Sequence, residues 1–274
     1  MKMCACNCAI DESQSRHTLM FARIRTIAFF TLLEALRNRM SWLVLLIAAA
    51  GLGISGFLGE LAITESVQIQ SAVLAALLRL CAVFVLAVFV ITSMVREFND
   101  KGLELILALP LPRAAYLLGK LLGFSSLAVL LAIAFGLLTA IFAPPAQAAI
   151  WSASLACELA IVAALSLLCV VTFTQVISSL SAVFAFYLLA RSITALQLIG
   201  QGPLQNTDLS HQTINVVIDT IAVLLPRLDQ FTRSEWLAYH TGTISELMPL
   251  VAQSAIYLAL LAGAALFDLY RKNL

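Results

Sequence analysis

The chain consists mainly of six long apolar runs, which alternate with short polar segments. Each run approaches the 20 or so residues that an α-helix needs to cross about 30 Å of hydrocarbon. Only helices and closed barrels satisfy their backbone groups in lipid, and these runs are too long for barrel strands. We therefore expect an all-α polytopic membrane protein. The predicted transmembrane helices cover about 41–59, 71–95, 114–142, 147–173, 176–200 and 247–268.

Composition and charge add an orientation to this pattern. The 274 residues are 62% hydrophobic and only 11% charged, whereas soluble domains carry about 25% charged residues. If the N-terminus is cytoplasmic, the inside segments hold most of the lysines and arginines, and the outside loops hold only Arg227 and Arg233. This positive-inside bias predicts that both termini lie in the cytoplasm.

An amphipathic segment precedes the first span. Residues 20–40 combine apolar positions with several arginines, which predicts an elbow helix in the cytoplasmic membrane interface. A first span that began earlier would bury charged side chains, so it is the less favoured alternative. We expect residues 20–274 to form one transmembrane domain.

The extreme N-terminus is expected to be a disordered leader over residues 1–19, or to precede a true start at Met20. It contains Cys4, Cys6 and Cys8. That spacing would also suit a soft metal ion, since thiolates select such metals. Both interpretations stay open.

Two loops on the outer side differ in length. The "APPAQ" turn at 143–147 is short and predicts that the third and fourth spans are antiparallel neighbours. The loop between the fifth and sixth spans, about 201–246, is the longest. Its stretch "TINVVIDTIAVLLPRLDQF" predicts one or two interfacial helices broken at Pro226.

Recognised catalytic motifs are missing from the sequence. It contains no H-E-x-x-H, no G-x-S-x-G and no paired intramembrane aspartates. Gly119 and Lys120 are followed by Leu121, so the hydroxyl that a phosphate loop uses to hold Mg²⁺ is lacking. We expect a chain that is not an enzyme, does not hydrolyse ATP by itself and has no nucleic-acid partner. An integral membrane enzyme is an alternative that would need polar residues clustered at one membrane depth.

Three ionisable residues do lie at similar depth inside predicted spans: Arg79, Glu158 and Arg191. Charge in hydrocarbon is costly, so these side chains should face the bundle interior, water or one another. An Arg79–Glu158 or an Arg191–Glu158 pair is geometrically feasible. In a functional interpretation the patch would line a substrate path or hold an outer gate shut. In a structural interpretation it would be an internal pair.

The segment "VREFNDKGLELILALPLPRAAYLLGK", residues 95–120, is polar and lies between two apolar spans. As a helix over about 96–109 it would carry charges on one face and apolar residues on the other. Pro110 and Pro112 would end it, because proline lacks the N–H group and clashes with the preceding turn. A solvated connector is the plain alternative. An apolar face and a rigid stop favour a helix that docks on another protein.

This segment resembles the first cytoplasmic loop of ABC-2 type transporter permeases. The N-terminal stretch "FFTLLEALRNRMSWLVLL", the outer "LLPRLDQF" and the C-terminal "FDLYRKNL" are similar to that family as well. The resemblance extends over essentially the whole chain, with a looser likeness to permeases of the nitrous-oxide-reductase maturation type. The matching loop positions are Glu97, Gly102, Glu104, Leu105, Leu109, Pro110, Arg113, Leu118, Gly119 and Lys120.

The resemblance implies the membrane subunit of an ATP-binding cassette transporter in a bacterial inner membrane. Two copies, or one copy and a sister permease, would pair with two ATPase subunits, and membrane lipid would surround them. ATP and Mg²⁺ would bind to the ATPase subunits and no cofactor to this chain. The loop would supply the coupling helix. The residues expected to couple the ATPase are Glu97, Asp100, Gly102, Glu104 and Arg113.

A second function class would use the same ATPase subunits but would not transport a substrate. In this alternative the chain is a mechanotransmitter or scaffold that acts on a periplasmic or envelope partner through the 201–246 loop. The substrate of a transporter is not encoded in these patterns, because one fold serves many cargoes.

Overall fold

A computed structural model describes residues 24–38, 40–61, 66–99, 113–200, 220 and 225–271. Long helices make up almost all of this part of the chain, and it contains no strand. The helices are α1 (Ile24–Arg37), α2 (Met40–Leu61), α3 (Ser66–Asn99), α4 (Arg113–Thr139), α5 (Pro145–Phe173), α6 (Val176–Gly200), α7 (Glu235–Ala238) and α8 (Ile244–Arg271).

The expected all-α membrane architecture is confirmed. Helices α3, α4, α5, α6 and α8 are each long and apolar enough to cross a membrane. Helices α1 and α2 meet at a bend of 58°, and together they provide a sixth crossing if the bent pair counts as one span. The sequence predicts six separate spans, whereas the described residues support five and this bent sixth.

Several helices extend past the predicted spans, because their end residues continue the backbone hydrogen bonding beyond the apolar runs. Helix α3 has 34 residues and ends at Asn99, so residues 96–99 form its last turn. The rest of the predicted coupling helix lies outside the described residues. The leader with Cys4, Cys6 and Cys8 also lies outside the described residues, and so does Asp100 of the loop.

Two tight turns set the antiparallel order of the central helices. Pro145 begins α5, where its missing N–H group costs nothing, and the short turn after Thr139 makes α4 and α5 neighbours. Thr174 ends α5 in the left-handed conformation at φ 58°, and its N–H donates to the carbonyl of Val170. The predicted adjacency of these two spans is therefore present.

Helix α5 forms the centre of the bundle. It packs against α3, α4, α6 and α8, and every residue from Glu158 to Leu167 is buried. A helix that is apolar on all sides is buried on all sides, which explains why its hydrophobicity shows no preferred face. Trp151, Leu155 and Leu159 fill the contact region with the neighbouring helices.

Helix α1 docks on α4 through two glycines spaced four residues apart. A Cβ added at Gly119 would lie 2.9 Å from the Cβ of Ile27, and one at Gly123 would lie 2.7 Å from the Cβ of Thr31. Such a small-residue pair lets two helix backbones approach closely in a membrane protein. Helix α1 lies within the stretch predicted to form the elbow helix and contacts the bundle, with Phe29 and Phe30 exposed on its other side. Its place in the membrane interface stays a prediction.

The bundle has two distinct ends. One holds Arg96, Arg113 and Arg271, and we call it the basic end; the other holds Thr139, Pro145 and Ile244, and we call it the distal end.

Candidate functional site

Polar side chains from three helices converge inside the bundle on the segment that precedes α8. This group, here named the distal polar cluster, joins α3, α5 and α6 to that segment. It includes the three ionisable residues that the sequence places at similar depth inside the spans. Its members are Arg79, Ser154, Glu158, Tyr187, Arg191 and Thr232.

Glu158 is the centre of the cluster and is completely buried. Its Oε1 accepts a hydrogen bond of 2.9 Å from the Tyr187 hydroxyl, and its Oε2 accepts one of 2.6 Å from Thr232 Oγ1. Nη1 of Arg191 lies 3.6 Å from Oε1. Of the two pairings that the sequence allows, the structure contains the Arg191–Glu158 pair, and the carboxylate has the partners that a buried charge requires.

The two arginines bind backbone carbonyl groups of the segment. Arg191 Nη1 donates to the carbonyl of Leu228 and, at 3.1 Å, to that of Phe231. Arg79 Nη1 donates to the carbonyl of Thr232 at 3.2 Å. Guanidinium groups suit this task because their fixed, planar donors can serve several acceptors at once.

Thr232 is the residue at which these interactions meet. Its N–H donates to Ser154 Oγ at 3.0 Å, its hydroxyl donates to Glu158, and its carbonyl accepts from Arg79. Its φ is 46°, in the left-handed region. A β-branched residue is rarely found there, so this backbone conformation is strained and held by its surroundings.

The segment enters the bundle and leaves it again at the distal end. Ser154 and Glu158 lie nine and thirteen residues after Pro145, which places Thr232 about 14–20 Å along α5 from that end. The chain then returns, because Gln147, two residues into α5, donates to the carbonyls of His240 and Gly242. We call residues 225–239 the re-entrant segment.

Apolar side chains anchor the re-entrant segment on both sides of Thr232. Leu228, Phe231, Trp236 and Leu237 are each at most 2% exposed. The sequence predicts one or two interfacial helices in the stretch that ends at Phe231, broken at Pro226. Most of that stretch lies outside the described residues, whereas residues 225–231 contain one 3-10 turn and pack into the bundle. The polar partners supply the physical reason, since those on α3 and α6 satisfy carbonyl groups of a non-helical backbone and Ser154 on α5 satisfies the N–H of Thr232.

Charge balance explains why two arginines accompany a single glutamate. Irregular backbone at membrane depth is tolerated only where it is buried in protein or lines a water-filled cavity, because its polar groups need partners. Carbonyl oxygens carry partial negative charge, so the Thr232 carbonyl complements the second guanidinium, that of Arg79. Arg79 Nε still lies buried with no hydrogen-bond partner among the described residues.

Half of the distal polar cluster escapes sequence reasoning. The intramembrane charges stand out in an apolar run, whereas Ser154, Tyr187 and Thr232 are ordinary residues of such runs and loops. The one usable signal is helical spacing, because Ser154 and Glu158 are four residues apart and share a face of α5.

A second polar contact lies at the basic end. Lys120 Nζ of α4 is 2.7 Å from Glu97 Oε2 of α3, and the lysine side chain is only 8% exposed. The ammonium also lies 6.0 Å from the centre of the Phe124 ring. This ion pair ties together the two helix ends that flank residues 100–112.

Helix α1 joins the same region through a different bond. Ser93 Oγ donates to Glu34 Oε1 at 3.0 Å, which connects α3 to α1. The basic ends of α1, α3 and α4 are therefore linked by polar contacts as well as by the close approach at Gly119 and Gly123.

The residues expected to couple an ATPase are only partly within the described chain. Glu97 faces Lys120 and is 20% exposed, and Arg113 begins α4. Asp100, Gly102 and Glu104 lie outside the described residues. A role for these five in coupling stays a prediction.

Among the residues that the structure describes, no group of three or more histidine, cysteine, aspartate or glutamate side chains is placed to hold a metal ion. Cys81, Cys157 and Cys169 are free thiols inside the helices.

Fold and site together define a multi-pass, all-helical membrane protein with a polar cluster inside its bundle. No known protein-family profile matches the chain, and no curated protein sequence matches it either.

Proposed function

We propose that this chain is the membrane-spanning subunit of an ATP-driven transporter of the ABC-2 type, and that separate ATPase subunits drive it from the basic end. The supporting observation is the partly buried Glu97–Lys120 ion pair. Both residues belong to the motif through which the chain resembles these permeases. Their contact ties α3 to α4 on either side of the loop that would receive the ATPase.

The ion pair gives the loop a mechanical connection to the membrane. A push on residues 100–112 would move α3 and α4 together, because their ends are joined at 2.7 Å. Helix α1 would follow, since Ser93 binds Glu34 and the α1 backbone lies against Gly119 and Gly123. Rigid-body motion of packed helices is a common way to switch between conformations.

In this proposal the basic end is cytoplasmic, the membrane is a bacterial inner membrane, and the working complex contains two permease chains and two ATPases. ATP and Mg²⁺ belong to the ATPases. The substrate is unidentified, and the proposed direction of transport is export.

Affinity purification of the full-length chain from its native membranes tests the proposal. The wild-type eluate should contain an ATPase subunit in equal amount and should hydrolyse ATP. The substitution Glu104→Arg should remove both, because it reverses a charge on the face expected to dock. The matched control is Glu246→Arg, which reverses an exposed charge at the distal end.

An eluate without ATP hydrolysis would contradict the proposal, and so would a Glu104→Arg eluate as active as the wild type. Membrane insertion of both variants is checked by their yield in the membrane fraction.

One observation favours the mechanotransmitter alternative. The described bundle is closely packed around α5, with ten consecutive buried residues from Glu158 to Leu167. The re-entrant segment would carry motion from this core to a partner at the distal end. Transport by reconstituted permease and ATPase into sealed vesicles separates the two functions, because a mechanotransmitter would hydrolyse ATP without moving solute.

A further inference from the structure

The re-entrant segment is held in the bundle by side chains that belong to other elements. Its backbone carbonyls are bound by Arg79 and Arg191, and its Thr232 is bound by Ser154 and Glu158. It continues no spanning helix at the depth of these contacts. We propose that residues 225–239 are a distal gate and that the distal polar cluster is its latch. This inference rests on the proposed function and names the part of the permease that opens.

The latch joins three helices at a single point. Arg79 belongs to α3, Glu158 to α5 and Arg191 to α6, and all three reach residues 228–232 of the segment. A relative shift of any one helix therefore strains the contacts made by the other two. Helix α3 ends at Asn99, directly before the loop at the basic end, and the Glu97–Lys120 ion pair ties it to α4. Motion of α3 would reach the gate through Arg79.

The docked segment carries costs that undocking relieves. Thr232 is held at φ 46°, a conformation that costs a β-branched residue energy and persists only under external constraint. Arg79 Nε is buried with no hydrogen-bond partner among the described residues. The contacts of Glu158 offset both costs. Removing one of the contacts of Glu158 should therefore shift the equilibrium from the docked segment towards the undocked, open state.

The exit side of the segment provides a hinge. Gln147 holds it through three hydrogen bonds, which involve the N–H and carbonyl of Gly242 and the carbonyl of His240. His240 has a φ of 57°, so the chain turns sharply there. The tip at Thr232 can swing out while Gln147 keeps the base of the segment attached to α5.

A cysteine reporter measures the gate without any partner subunit. Ala238→Cys, in a background whose six native cysteines are changed to alanine, places a thiol at a position that is 7% exposed when the segment is docked. A membrane-impermeant maleimide is applied to the purified chain in nanodiscs. The resting protein should label slowly, whereas Ser245→Cys, exposed at the start of α8, should label fast.

Latch variants should expose the reporter. We expect Glu158→Gln to speed labelling of the Ala238→Cys reporter about tenfold or more, since a lost hydrogen bond to a charged group shifts an equilibrium by about that factor. Tyr187→Phe removes only the hydroxyl that donates to Glu158, so it should act in the same direction with less risk of misfolding. The matched control is Glu235→Gln, the same chemical change at an exposed position of the segment.

A covalent lock tests the role of the gate in the working complex. Ser154→Cys combined with Thr232→Cys introduces thiols at two residues that already touch, since the backbone N–H of Thr232 donates to Ser154 Oγ at 3.0 Å. The oxidised pair should abolish ATP-driven transport, and a reductant should restore it. ATPase binding at the basic end should be the same in both states.

Two results would overturn the gate. One is reporter labelling that neither Glu158→Gln nor Tyr187→Phe accelerates. The other is an oxidised, locked complex that transports at the rate of the reduced one. If no ATPase binds the chain at all, the proposed function fails, and the nanodisc labelling alone then decides the gate.

Discussion

Individual charges inside this bundle are explained by what they bind. Glu158 is fully buried, yet three groups serve its two oxygens. Arg79 and Arg191 donate to carbonyls of an irregular backbone that has no helix to satisfy it. Lys120 repeats this logic at the basic end, where its partner is Glu97. In each case a charge in an apolar run marks a specific partner.

The Lys120–Glu97 contact can be tested by a double-mutant cycle. Lys120→Met should lower the free energy of unfolding by about 1–3 kcal/mol, because it leaves the Glu97 carboxylate half-buried without its counter-charge. Adding Glu97→Gln should recover part of this loss. Thermal unfolding in detergent provides the measurement, and Arg96→Met, which alters an exposed basic residue of the same region, is the control. A loss in the double variant equal to the sum of the losses of Lys120→Met and Glu97→Gln alone would show that the two side chains are not coupled.

At the scale of elements, the packing of α1 on α4 depends on the absence of two side chains. The Cβ atom that any other residue would place at Gly123 lies 2.7 Å from that of Thr31 and 3.1 Å from the carbonyl oxygen of Ala28. Real side chains do not pack at such distances, so the two helices would have to separate. The bend of 58° after α1 is what brings this helix back onto α4.

Gly123→Val should therefore displace α1. We expect the distance distribution between spin labels at Leu33 of α1 and Val129 of α4, both exposed, to lengthen and broaden. Gly263→Val is the control, because a Cβ there meets nothing within 4 Å. A distribution that Gly123→Val leaves unchanged would mean that α1 is held by other contacts.

The sequence predicts the helical segments well and their lateral contacts poorly. Length and hydropathy locate each span to within a few residues, since a helix needs a fixed number of apolar residues to cross the membrane. The same apolar runs carry no directional signal, so neither the central position of α5 nor the docking of α1 is visible in them. The re-entrant segment is not predictable for a different reason. The role of Thr232 depends on its contact with Arg79, which lies 153 residues earlier in the chain.

At the scale of the whole molecule, the described helices form one bundle whose two ends differ in charge. The basic end contains Arg96, Arg113 and Arg271, and the distal end contains Glu60, Glu235 and Glu246. Short cytoplasmic loops of membrane proteins carry an excess of lysine and arginine. The proposed orientation therefore makes a direct prediction about access from each side of the membrane.

Single cysteines in the cysteine-free background test this orientation. In spheroplasts an impermeant maleimide should label Ser245→Cys at the distal end without further treatment. It should label Thr174→Cys, exposed at the turn between α5 and α6, only after the membrane is permeabilised. The reverse pattern would invert the molecule and would place the 100–112 loop out of reach of any cytoplasmic ATPase.

The long separation between the arginines and their acceptors also affects how the protein is made. Arg79 is synthesised 153 residues before Thr232, and Arg191 is synthesised 37 residues before Leu228. Helix α3 thus enters the membrane before the carbonyl that will satisfy the guanidinium group of Arg79 exists. During that interval the charge of the nascent chain lacks this partner. A chain whose synthesis stalls before residue 225 never gains it. We expect such truncated chains to be recognised by their unpaired intramembrane charge and degraded. In a finished chain the re-entrant segment binds that charge.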